Sequence, residues 1–259
     1  MNPIRTAVIA SNVFREVIRD RALYLIGFFA ILIVAASALL PEVAASLENK
    51  IILDVGLAAI GILGLLIAVF VGTGLVNKEI EKRTVYVMIA KPISRAEFIV
   101  GKHLGLSAVL AVLVTAMTLI YLGVLQVQQI SFPLSSILIA EFFQLLELSL
   151  ITAVAILFGV FTSSLLATLL TIAIYFMGHF SRDLVTLGAL SKDPHIQRIA
   201  DSIYLVLPDL SRLNLKNQAV YGTDLLPQPT ELLGDAAYGL VYIMLLLAIA
   251  TLVFSRREF

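Results

Sequence analysis

Six stretches of this chain are too apolar for water and long enough to cross a bilayer: 22–40, 55–76, 104–125, 137–160, 165–181 and 232–254. A hydrocarbon core of about 30 Å calls for roughly 20 apolar residues at the helical rise. Backbone in lipid must satisfy its own hydrogen bonds, so the stretches are expected as helices; nothing in the sequence shows the short alternating strands of a barrel. Composition agrees, with 60% hydrophobic and 14% charged residues among 259, against about 45–50% and 25% in soluble domains. The expected class is an all-α integral membrane protein with six transmembrane helices in a single domain, residues 1–259. Run five is the shortest, and only Phe161 to Ser164 separate it from run four, so those two are expected as a tight helical hairpin. No cleavable leader is expected, because Met1 to Arg21 is polar, carries four arginines, and precedes an apolar run of spanning length.

Net charge is zero, 18 basic against 18 acidic residues, which gives no reason to expect nucleic acid. The distribution of charge says more. Arg5, Arg15, Arg19 and Arg21 precede the first span; Lys78, Lys82, Arg83, Lys91, Arg95 and Lys102 follow the second; Arg256 and Arg257 follow the sixth. With six spans these regions share one face, while the short loops opposite, 41–54 and 126–136, offer Lys50 as their only basic residue. By the positive-inside rule both termini are cytoplasmic, in a multi-pass protein of the cytoplasmic (inner) membrane. The connection 182–231 then faces outward. Its apolar runs, such as Ile203 to Leu207, alternate with Pro194, Pro208, Pro227 and Pro229, the pattern of short amphipathic helices resting on the membrane as a cap. The N-terminal segment places Ile4, Val8, Val13, Phe14, Val17 and Ile18 near one helical face and is expected as an interfacial helix.

Between spans two and three lies a charged segment, Asn77 to Gly105, unusual for so apolar a chain. Lys78, Glu79, Glu81, Lys82 and Arg83 crowd the first turns of a helix expected over 77–90, and Pro92 ends it. Ser94 with Glu97 three residues later makes a capping box that starts the next helix. Two helices hinged at Lys91-Pro92 are the expectation, and a soluble partner is the reason a membrane protein would keep them.

Glu79, Glu81, Thr84, Lys91 to Arg95 (KPISR), Phe98, Gly101-Lys102 and Gly105 together resemble the permease subunits of type 2 ABC transporters, in particular the branch of the permease for nitrous-oxide reductase maturation (NosY-like). The layout is similar over the whole chain: an N-terminal interfacial helix, six spans, a cytoplasmic connection after span two, and a helical outer loop between spans five and six. The resemblance implies a coupling helix that docks on a separate ATP-hydrolysing subunit, with a second permease copy completing a homodimer around the path. It would aim Glu79, Glu81, Arg83, Thr84 and Val87 at the ATPase and use Lys91, Pro92, Ser94 and Arg95 for the turn back into the membrane. The sequence departs from the family at Arg83, where Gly commonly precedes the Thr. The resemblance also implies export, of a substrate it does not identify, with membrane lipid as surroundings.

No catalytic residue is assigned. A G-x-x-x-x-G-K-[ST] loop is missing, so ATP and Mg are expected on the partner subunit, and no cofactor is expected on this chain. Cysteine is absent, and His103, His179 and His195 lack metal-ligand spacing. Neither GxSG nor HExxH occurs, which argues against an intramembrane hydrolase. A secondary transporter or channel without an ATPase is the remaining alternative; such proteins favour internal repeats and broken helices and have no need of a cytoplasmic double helix. Within the spans two further patterns stand out. Glu141, Gln144 and Glu147 recur every three residues in span four, as a polar face of the substrate route or as structural acids, since a charge at mid-membrane costs about 2.5–3.5 kcal/mol on insertion scales. Gly64, Ala68 and Gly72 repeat every four residues in span two, a small-residue ladder for close helix packing.

Overall fold

Apolar length becomes helix throughout. The computed structural model describes residues 2–19, 23–43, 48–81, 93–191 and 193–256, and no strand occurs among them. The helices are α1 Pro3–Val17, α2 Leu23–Val43, α3 Glu48–Glu81, α4 Arg95–Val127, α5 Leu134–Phe161, α6 Ser164–His179, α7 Ser181–Leu190, α8 Pro194–Val206, α9 Lys216–Ala219 and α10 Pro229–Arg256. Single 3₁₀ turns at Leu210–Arg212 and Thr223–Leu225 link α8, α9 and α10.

Four helical segments are long and apolar enough to cross a membrane: Lys50–Glu79, Arg95–Val127, Leu134–Phe161 and Pro229–Arg256. The expected fifth span differs. Its helix, α6, has 16 residues, about 24 Å at a rise of 1.5 Å per residue and short of a full hydrocarbon core. It reaches spanning length only together with α7, across a bend of 57°. In α2 the apolar part among the described residues is Tyr24–Leu39, also short of the mark. The described residues therefore contain four candidate spans, or five with the bent pair counted as one, where hydropathy predicts six.

The fold is built around α5, which packs against α3, α4, α6 and α10 and against the short α9. Its seam with α3 is close because α3 is small there. A Cβ on Gly64 would stand 2.5 Å from Leu148 Cδ1, one on Gly72 would stand 2.9 Å from Ala155 Cβ, and Ala68 between them is fully buried. The turn from α5 to α6 is only Thr162-Ser163.

The N-terminal helix is less interfacial than its pattern suggests. Asn2 caps it through its side-chain oxygen, Pro3 opens it, and α1 then lies along α4. Two glycines of α4 make this possible: a Cβ on Gly101 would meet Ile9 at 2.8 Å, and one on Gly105 would meet the Ala10 carbonyl at 2.6 Å. Val13 is buried and Phe14, Val17 and Ile18 pack on the core, whereas Ile4 and Val8 remain exposed. The apolar face is thus shared between protein and surroundings. At the opposite end, α8, α9 and the 3₁₀ turns form a cap of short helices within 182–231, while α7, expected in that cap, follows α6 across the bend.

Candidate functional site

The predicted docking segment begins where α3 ends. Glu79 lies in the last turn of α3 and Glu81 is its final residue. Arg83, Thr84, Val87, Lys91 and Pro92, and with them the predicted hinge, lie outside the described residues. The return is defined: Ser94 is the N-cap of α4, its hydroxyl accepting from Glu97 N–H (3.2 Å) while Glu97 Oε2 accepts from Ser94 N–H (2.9 Å). The capping box starts the helix because each partner satisfies an amide that the first turn leaves bare.

Around this start the structure gathers the chain's other ends. The second oxygen of Glu97 accepts from Asn2 N–H at 2.6 Å, fastening α1. Arg95 Nη1 donates to the Phe254 carbonyl at 2.9 Å and to that of Ser255, closing the C-terminus of α10. A guanidinium there also complements the partial negative charge of the helix end. Phe98 stacks on Phe254 with centroids 5.6 Å apart. Lys102 pairs with Glu79, tying the end of α3 to the second turn of α4. Lys102 is 7% exposed, so its partner offsets the cost of a sheltered ammonium.

A second polar group lies deep in the bundle. Glu141, Gln144 and Glu147 are all buried on α5. His179 Nε2 stands 3.4 Å from Glu147 Oε1, and His179 Nδ1 meets the Tyr175 carbonyl at 3.0 Å. A Cβ on Gly61 would lie 2.9 Å from Lys216 Nζ and 3.3 Å from Gln144 Oε1, so the ammonium of α9 reaches inward from the cap between α3 and α5. Neither oxygen of Glu147 has a hydrogen-bond partner among the described residues. Polar groups so placed present a hydrogen-bonding surface inside an apolar bundle. Among the described residues no cluster of His, Asp or Glu is arranged to hold a metal ion.

The sequence profile of the ABC-2 family transporter protein matches residues 7–259, nearly the entire chain. The chain belongs to the ABC-2 transporter family. It is therefore the membrane permease component of an ABC transporter, a transport subunit with no catalysis of its own, and ABC-2 permeases typically work with an ATPase subunit. No curated protein matches the chain.

Several residues of this ABC-2 permease carry weight that sequence reasoning missed. Lys102 and Gly101 stood out only as part of a motif, although one closes an ion pair and the other makes room for α1. His179 and Lys216 lie 32 and 69 residues after Glu147, and no local spacing joins them to it. Asp209 has no local sequence pattern that marks it. It is buried in the cap and accepts from Arg182 Nε (2.8 Å), Arg212 Nε (3.1 Å), Tyr204 Oη (3.2 Å) and the Ser211 hydroxyl, while its own N–H donates to Tyr238 Oη (2.8 Å). Burial by itself would raise its pKa; the hydrogen bonds from Ser211 and Arg182 and the guanidinium charge outweigh that and hold the carboxyl below its usual range.

Proposed function

We propose that the chain is the six-span permease subunit of an exporter in the cytoplasmic membrane, both termini cytoplasmic, of the nitrous-oxide-reductase-maturation type. Two copies pair, and each docks on a separate ATPase through the 77–92 segment, with ATP and Mg bound on that partner. The supporting observation is the gathering at one end of the molecule. The N-cap of α4 is fastened to the start of α1 and to the end of α10, and Lys102 fastens it to the end of α3. A push on the connection between α3 and α4 then moves four helices together, which is what transmission of ATP-driven work by a rigid-body tilt requires. Glu79, Glu81, Arg83, Thr84 and Val87 form the face toward the ATPase; Glu141, Gln144 and Glu147 line the substrate route. The α2 segment and the bent α6–α7 pair complete the six spans.

The test is a permease with Glu81→Lys and Thr84→Trp, co-expressed with its ATPase. Insertion into the membrane is expected to be normal, and permease-dependent stimulation of ATP hydrolysis is expected to be lost. A double variant that still co-purifies and stimulates normally removes the docking assignment.

A further inference from the structure

Beside the α3–α5 seam, α1, α2, α3 and the second turn of α4 line an open cavity of about 490 Å³. That is within the range of roughly 300–1,000 Å³ of small-molecule sites. Its floor is apolar, with Leu66, Ile67 and Phe70 among its residues, and its mouth is charged, with Glu16, Lys78 and the Glu79–Lys102 pair. Leu66 and Lys78 are 12 residues apart on one helix, so the cavity runs about 18 Å along α3. Half of a hydrocarbon core is about 15 Å. The cavity is therefore as deep as one leaflet, apolar inside, with its charge at the level of the headgroups.

The charge at the mouth selects among amphiphiles. Lys102 and Glu79 neutralise each other, and among the described residues Lys78 and Glu16 have no ion-pair partner. Among the side chains that line the cavity this leaves one cation, Lys78 on α3, and one anion, Glu16 on α1. A zwitterionic headgroup complements that pair, phosphate toward the Lys78 ammonium and ammonium toward the Glu16 carboxylate. Two free cations would have selected an anionic lipid.

We propose that this cavity is a binding site for one phosphatidylethanolamine-type phospholipid of the surrounding leaflet, with an acyl chain laid along α3 from Gly74 to Leu66 and its headgroup held between Lys78 and Glu16. The site lies away from Glu141, Gln144 and Glu147, so its lipid is a resident of the permease and not the exported substrate. The leaflet it faces follows from the orientation proposed above.

Gly74 gives the decisive variant. A Cβ there would meet Lys78 Cε at 3.4 Å, an ordinary contact, so Gly74→Leu fills the cavity without breaking α3. Native mass spectrometry of the purified permease in detergent, titrated with phosphatidylethanolamine or phosphatidylglycerol, reads the number of lipids retained. The expected result is saturable retention of one phosphatidylethanolamine per chain, weakened at least tenfold by Gly74→Leu and by Lys78→Glu. The control is Gly123→Leu, on the exposed face of α4, where a Cβ meets nothing within 4 Å; it is expected to leave retention unchanged. Unsaturable retention, or retention indifferent to Gly74→Leu and Lys78→Glu, means annular lipid only and overturns the site. Preference for phosphatidylglycerol overturns the headgroup assignment to Glu16. The measurement uses no ATPase, so its failure is distinct from failure of the docking reading.

Discussion

A single carboxylate, that of Glu97, fastens two helices at once. One oxygen accepts from the N-cap amide of α4 and the other from Asn2. Glu97→Ala is expected to lower the melting temperature in detergent and to free α1, seen as faster proteolysis within residues 2–19. Glu97→Gln, which keeps only part of the acceptor capacity, is expected to fall between. Asp209 has a pH signature. Its folded pKa lies below the ordinary carboxylate value of about 3.9, so its stabilisation is complete above that value and is lost as pH falls through the folded pKa. As pH falls from about 4 toward 2, melting temperature is expected to fall more steeply for the native chain than for Asp209→Asn, which starts lower and follows a flatter curve. Parallel curves would mean Asp209 is not titrating in the cap. These residues also mark how far sequence carries. Ser94 and Glu97 were legible because a capping box is a spacing of three. The Asp209 cluster was not, because Arg182, Tyr204 and Tyr238 reach it from three separate helices and none has a spacing that betrays the others.

Among the elements, the α3–α5 seam and the bend after α6 make the sharpest contrast. Gly64, Ala68 and Gly72 could be read as a packing stripe from their period of four, but only the fold supplies α5 as what they meet. Gly64→Leu is expected to overpack Leu148 and cost about 1–3 kcal/mol, read as a lower melting temperature, with Ala68→Leu close behind. At the exposed Gly123, Gly→Ala is expected to be neutral or stabilising by up to about 1 kcal/mol through helix propensity. A seam variant that melts like the native chain would mean the helices part without cost. The bend escaped the hydropathy profile because an apolar run has no direction. At position 178 a Cβ would lie 2.7 Å from the Pro208 carbonyl, so Gly178 lets the cap settle against α6 just before the chain turns through 57°. Hydropathy counts residues per span; it does not register an angle.

At the scale of the whole molecule, the absence of cysteine makes topology directly testable. Single cysteines at Lys82 and Ser255 are expected to resist a membrane-impermeant thiol reagent in intact cells, and one at Gln218 in the cap is expected to react; labelling of position 82 from outside would reverse the orientation. One feature of the long helix then has a pharmacological side. α3 runs unbroken for 34 residues, about 51 Å at the helical rise. One end is gripped where Lys50 Nζ sits 3.5 Å over the Tyr221 ring of the cap, and the other where Glu79 meets Lys102. With no joint between those grips, and with the cap outside as proposed, immobilising Tyr221 is expected to still the far end where the ATPase is proposed to dock. An antibody against the cap would be a brake on the motor, applied without entering the cell.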